Sequence, residues 1–210
     1  MCDNWRCESP PPPPSLPSRK RQRKDEDYFH SGNERINRID NHIYFYSDVS
    51  TKNNLQFIKI LRDTDHEQQI KMLKEEITEP VIHIHINSSG GSLLDGFSMA
   101  SSVLSCKSHT IGYCEGKVAS AATLPFVVCN ERKMQRFCYV LIHQLSSSFW
   151  GTYESFKDEK VNLDNFMKQL QNLYSKYTNM PAKKITDIMK HDLFFDAKAC
   201  LKYKIVDELC

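Results

Sequence analysis

Apolar and histidine positions alternate through residues 81–86: Ile82, Ile84 and Ile86 fall on one side, His83 and His85 on the other. This period of two predicts a strand with one face in a core and its two histidines at the surface. Strand-like patterns recur at residues 42–46, 109–113 and 137–142. Between them the period lengthens to that of a helix. Residues 53–77 place Leu55, Ile58, Leu61, Ile70, Leu73 and Ile77 at helical spacing, with a possible break at Asp63, Thr64 and Asp65 and a stop at Glu79-Pro80. A second helix is predicted from Leu93 to about Ser105, after the Gly90-Gly91 turn, and a third from near Val118, after a turn at Gly116. Residues 152–177 form a long polar-rich helix with Phe156, Leu163, Phe166, Leu170, Leu173 and Tyr177 along one side. A short helix at 181–189 and a closing helix within 193–207 complete the chain. Strands alternating with helices predict an α/β fold with much parallel sheet.

Length and composition narrow this picture without changing it. The chain of 210 residues is long enough for one globular domain with a real core and an extension. Residues 1–33 read as that extension, expected to be disordered: a proline run from Pro10 to Pro14, then Arg19, Lys20, Arg21, Arg23 and Lys24, then Asp25, Glu26 and Asp27. The basic cluster reads either as a nuclear or nucleic-acid patch or as a solvated tail, and the adjacent acids favour the tail. With a formal net charge of +2, the whole chain carries no field that would call for nucleic acid. No apolar run reaches the roughly 18 residues of a membrane span, and the early Asp3 and Glu8 speak against a transit peptide. The eight cysteines include no close CxxC pair, and Cys114, Cys129, Cys138 and Cys200 lie in apolar segments, so reduced core thiols in a cytoplasmic protein are expected.

Four segments carry candidate chemistry. Ser120 follows Gly116-Lys117-Val118-Ala119 where a strand gives way to a helix, a place where a hydroxyl points outward and backbone N–H groups are free. His143 ends the apolar run Val140-Leu141-Ile142. Asp192 precedes Leu193-Phe194-Phe195, and Gly90-Gly91 forms a tight turn in Asn87-Ser88-Ser89-Gly90-Gly91-Ser92. Each has a plain reading: a serine N-cap, a structural histidine, an aspartate capping a helix or paired with Lys190, an ordinary turn. Together they are the parts an acyl-transfer hydrolase needs.

In these four segments, from about Glu34 to Leu209, the chain resembles the proteolytic subunit of the Clp protease. The matching strings are Ile86 through Ser92, Gly116 through Ala122, Leu141-Ile142-His143-Gln144, and His191-Asp192-Leu193-Phe194-Phe195-Asp196-Ala197 with the closing Tyr203-Lys204-Ile205-Val206-Asp207. The resemblance implies a fold shared with the crotonases, a spiral of β-β-α units with a long handle helix at about 152–177. It implies a serine endopeptidase of residues 34–210 in which Ser120 is the nucleophile, His143 the general base, Asp192 its orienting carboxylate, and the Gly91 and Ala121 backbone N–H groups the oxyanion hole. No metal or organic cofactor is implied. The implied partners are unfolded polypeptide substrates, a homo-oligomeric ring (heptamer or double heptamer) and an AAA+ unfoldase of Clp type.

Several positions depart from the pattern of that family. Ser89 replaces a proline in the glycine turn, and Leu145-Ser146-Ser147-Ser148 replaces a proline and glycines after the histidine segment. Pro125 stands in the helix after Ser120 and is expected to kink or shorten it. His191 replaces an arginine that helps join two rings. His83 and His85 replace aromatics where an unfoldase loop docks, and are expected to offer that loop polar ring nitrogens that docking would strip of water. These departures keep open a low-activity regulatory or structural ring subunit. Two other readings fit less well: a serine–lysine dyad using Lys117 or another lysine leaves the His143 and Asp192 motifs without a purpose, and a crotonase-type acyl-CoA enzyme would not need Ser120 and His143 together.

Overall fold

The computed structural model describes residues 35–210; the proline run and charged cluster expected in the extension lie outside the described residues. Among the described residues eight strands form one sheet, with six α-helices. The strands are β1 (Ile36–Ile39), β2 (His42–Phe45), β3 (Val81–Ser88), β4 (His109–Ala119), β5 (Glu131–Met134), β6 (Tyr139–Leu141), β7 (Phe194–Phe195) and β8 (Glu208–Leu209). The helices are α1 (Thr51–Leu73), α2 (Leu93–Leu104), α3 (Thr123–Val127), α4 (Tyr153–Tyr177), α5 (Ala182–Ile188) and α6 (Ala197–Lys202). After the antiparallel β1–β2 hairpin the sheet order β2-β3-β4-β5-β8 is parallel throughout. Parallel neighbours need crossovers, and α1, α2 and α3 supply them. The fold is the mixed α/β arrangement that the patterning predicts.

Helix α1 begins where Ser50 accepts a hydrogen bond from the Asn53 N–H. It runs unbroken through Asp63-Thr64-Asp65, where the Thr64 hydroxyl donates to the Ile60 carbonyl within the helix and Asp65 accepts from the Lys107 and Ser108 N–H groups. It ends at Leu73, short of Ile77, with Glu75 in the left-handed region. Its buried stripe is Asn54, Phe57, Leu61, Thr64 and Gln68. The predicted face was thus rotated: Leu55 and Leu73 are 55% and 78% exposed. Sequence hydropathy could not find this face, because three of its five residues are polar.

Strand β4 extends well past Tyr113, through a Gly116 held at φ 79°, to Ala119. No turn to helix occurs at Val118; a single 3-10 turn, Ser120–Ala122, leads into the short α3 instead. Pro125 sits in the first turn of α3, where its missing N–H breaks no helical hydrogen bond, so it does not kink an interior. The length of β4 matters for function. One edge of it pairs first with β5 at residues 111–114 and then with β6 at residues 117–119, while the other edge pairs with β3.

The two sheet faces differ. Ile43, Phe45, Ile82, Ile84, Ile86 and Cys114 point into the core under α1 and α2. The other face carries His42, Tyr44, His83, His85, Tyr113 and Glu115 as a stacked cluster, with His42–His83 ring centroids 4.2 Å apart and His85–Tyr113 4.5 Å apart. The expectation of solvent-open histidines fails here. His85 is 8% exposed, and its Nε2 lies 2.9 Å from His42 Nδ1 and its Nδ1 2.9 Å from Glu115 Oε1. His83 Nδ1 is 3.0 Å from the Tyr113 hydroxyl. The alternation holds, but neighbouring strands bring other large rings alongside and cover the imidazoles. Cys114, Cys129, Cys138 and Cys200 are buried free thiols, as patterning predicts.

Candidate active site

Strand register assembles the site. β4 and β6 are parallel with Ala119 opposite Leu141, so Ser120 and His143 both leave the same ends of adjacent strands. β6 and β7 are antiparallel with Leu141 opposite Phe194. Continued two residues in each direction, that register sets His143 opposite Asp192. The hydrogen bond from the Gln144 N–H to the Met189 carbonyl, at 2.7 Å, ties the two segments together just beyond. The result is one chain of hydrogen bonds: Ser120 Oγ to His143 Nε2 at 2.9 Å, and His143 Nδ1 to Asp192 Oδ1 at 2.7 Å. These are the distances required for a base to take a serine proton while a carboxylate holds the imidazole tautomer. Asp192 is largely exposed, its side chain keeping 80% of its accessible surface, while the imidazole keeps 26%.

Ser120 adopts φ 54°, a left-handed conformation that costs a residue with a side chain about 1–3 kcal/mol. This sharp bend turns the chain from strand to 3-10 turn and lifts the hydroxyl toward the imidazole. Gly90, at φ 91°, lies against it: a Cβ there would come within 2.6 Å of both Ser120 Cβ and the Ala119 carbonyl oxygen. Gly91 is as tightly constrained, since a Cβ would stand 2.2 Å from the Val49 carbonyl oxygen. The glycine turn is locked in place by hydrogen bonds from Val49 N–H to the Gly90 carbonyl and from Ser92 N–H to the Val49 carbonyl, each 2.8 Å. Ser89, in the proline's place, therefore leaves the turn braced from outside.

A cavity of about 260 Å³ opens on Ser120 and His143. Gly91 and Ala121 line it, and the Gly91 N–H takes no acceptor among the described residues. Leu93, Leu145, Leu170 and Tyr174 form its apolar part. Every sequence-predicted site residue (Ser120, His143, Asp192, Gly91, Ala121) is thus drawn to one place. Lys117 is not among them: it lines a separate pocket with Asn87, Gly116, Tyr139 and Phe194, so a dyad of Ser120 with Lys117 finds no geometric support. Sequence reading missed Tyr174, because the helical stripe singled out Leu173 and Tyr177 beside it.

The family profile described as Clp protease matches residues 34–210. The chain is also 26% identical over 176 residues to the ATP-dependent Clp protease proteolytic subunit 2 of Chlamydia pneumoniae, an alignment covering 73% of this chain and 83% of that protein.

Proposed function

This chain belongs to the Clp protease family, and from that premise we propose that it is a serine endopeptidase with Ser120 as nucleophile, His143 as general base and Asp192 as orienting carboxylate. The observation that carries the proposal is the continuous Ser120–His143–Asp192 hydrogen-bond chain opening on a cavity. In the reaction, Ser120 Oγ attacks the peptide carbonyl carbon as its proton passes to His143 Nε2. The imidazolium that forms is stabilised by Asp192 through Nδ1–H. The tetrahedral oxyanion accepts hydrogen bonds from the Gly91 and Ala121 N–H groups. His143 then donates its proton to the leaving amine, and a water activated by the same imidazole hydrolyses the acyl-enzyme. Nothing in these steps consumes ATP, so ATP serves an unfoldase that feeds polypeptide to a ring of these subunits.

The exposed Phe156 and Val161 on α4 support assembly, since they are large apolar side chains that the described residues leave more than half bare. The test is cleavage of small fluorogenic peptides without ATP, together with labelling by a fluorophosphonate. Ser120→Ala should lose about three or more decades of activity and all labelling. A parent that assembles but neither cleaves nor labels would instead be a regulatory ring subunit. Equal cleavage by parent and Ser120→Ala would overturn the nucleophile assignment.

A further inference from the structure

Beneath the nucleophile lies a pair of buried hydroxyls that the mechanism above does not use. Thr123 is fully buried and Tyr174 is 2% exposed. The Thr123 hydroxyl is 2.6 Å from the Ser120 carbonyl oxygen and 2.6 Å from the Tyr174 hydroxyl. A carbonyl can only accept, so the single Thr123 proton goes to Ser120. The Tyr174 proton must then go to Thr123 Oγ1. The relay has one direction: Tyr174 O–H to Thr123 O–H to the Ser120 carbonyl. Burial also pushes the Tyr174 phenol up to about 12, against a smaller lowering by Thr123, so it stays a donor throughout the working pH range.

The Ser120 carbonyl belongs to the same planar peptide unit as the Ala121 N–H. No peptide bond here is cis. In a trans peptide the C=O and N–H point in opposite directions within a rigid plane. Pinning the carbonyl from the core side therefore aims the Ala121 N–H toward the cavity. The need for a pin is plain from the backbone: Ser120 is held in the left-handed region, which a serine leaves unless its surroundings prevent it. The Thr123 N–H also points at the Ser120 carbonyl, but it belongs to the same turn and moves with it. Tyr174 alone comes from elsewhere. Helix α4 is tied to the sheet near Tyr174, because Arg132 of β5 donates to the Tyr177 carbonyl at 2.5 Å, while Thr178 caps the helix end by donating to the Tyr174 carbonyl.

We infer that Tyr174 and Thr123 are positioning residues that aim the Ala121 N–H at the oxyanion, so that the long helix sets the catalytic competence of the nucleophile turn. This rests on the peptidase reading above. The deciding variant is Thr123→Val, which keeps shape, removes the hydroxyl and lies outside the cavity wall. A misaimed donor weakens only the transition state, so kcat should fall about ten- to a hundredfold with KM nearly unchanged, part of what loss of a whole oxyanion donor costs. The fluorophosphonate labelling rate should fall in step. Tyr174→Phe should show a similar loss, the double variant should be no worse than the weaker single, and Thr123→Ser should restore the rate.

Rates are taken per folded active site, so a merely structural role would lower the melting temperature and leave kcat unmoved. That outcome overturns the relay. So does an additive double variant. If Thr123→Val does not fold, Tyr174→Phe and Thr123→Ser decide the matter by the same kcat readout. A parent that fluorophosphonate does not label fails the peptidase reading itself, and the relay falls with it; a labelled parent with unimpaired variants removes the relay alone.

Discussion

His83 carries a cost that depends on pH. Burial, then the neighbouring His42 and His85, and to a lesser degree Lys133, push its pKa down to about 4, with only Glu131 pulling the other way. His42 is lowered for the same reasons, burial first and His85 second. A histidine in the unfolded chain titrates near 6.5. Between those values the unfolded chain binds a proton that the native cluster refuses, so stability is full above about 6.5 and is lost as pH falls toward 4. The urea midpoint should therefore drop between pH 7 and pH 5. His83→Tyr, which keeps a ring on Tyr113 and His42 but cannot titrate there, should make the drop shallower. An identical slope in parent and variant would assign the loss to other groups. At this scale the sequence named His83 correctly as an alternating strand residue and misjudged its surroundings, since strand neighbours are distant in the chain.

Among the elements, the clearest energetic hinge is where β5, β8 and the end of α4 meet. Arg132 places its guanidinium on Asp207 through Nε at 2.9 Å and Nη2 at 2.8 Å, and also reaches the Val127 and Tyr177 carbonyls. Burial alone would raise the Asp207 carboxyl; the hydrogen bonds and charge of Arg132 override it and hold the pKa below its usual value. That pair therefore stabilises the fold above the carboxylate's unfolded value and is lost as acid protonates it. Asp207→Asn leaves the buried guanidinium uncompensated and should cost about 2–3 kcal/mol in chemical denaturation, the low side for a buried pair because Asp207 keeps some water. A change under about 0.5 kcal/mol would mean that the carbonyls alone suffice. The helices were legible in existence and type, but their faces were less so. On α1 the buried stripe runs through Asn54, Thr64 and Gln68, which hydropathy assigns to water. On α4 it narrows to Leu170 and Tyr174, because only the C-terminal half of the helix rests on the domain.

For the whole molecule, the N-terminal half of α4 is an apolar stretch that the described residues leave exposed. Tyr153, Phe156 and Val161 are 74%, 51% and 58% exposed. An apolar edge of that kind is stable in water when another copy covers it. Sedimentation velocity at micromolar concentration should show a ring of about seven subunits, a number taken from the family. Where the family joins two rings through an arginine, His191 offers a shorter side chain without a guanidinium fork. His191→Arg should accordingly raise the share of double rings. A monomer in both proteins would remove the chamber from the proposal. The outer sheet face bears on partners as well. Its imidazoles are already hydrogen-bonded to one another, to Tyr113 and to Glu115, so an unfoldase loop docking there would meet a satisfied polar cluster instead of unpaired nitrogens.

By itself the sequence determined the strand and helix alternation, the burial of Cys114, Cys129, Cys138 and Cys200, and the identities of Ser120, His143 and Asp192 as a set worth joining. These are local properties, since alternation, caps and short strings of residues are written in consecutive positions. Tertiary structure alone decided the rest. The β4–β6 and β6–β7 registers bring Ser120, His143 and Asp192 within hydrogen-bond reach, and a slip of one residue would turn each to the opposite face. The left-handed bend at Ser120, the Val49 brace on Gly91 and the Tyr174–Thr123 pair each depend on atoms brought together from distant parts of the chain. Hydropathy carries no record of which strand edges meet, and so none of which side chains do.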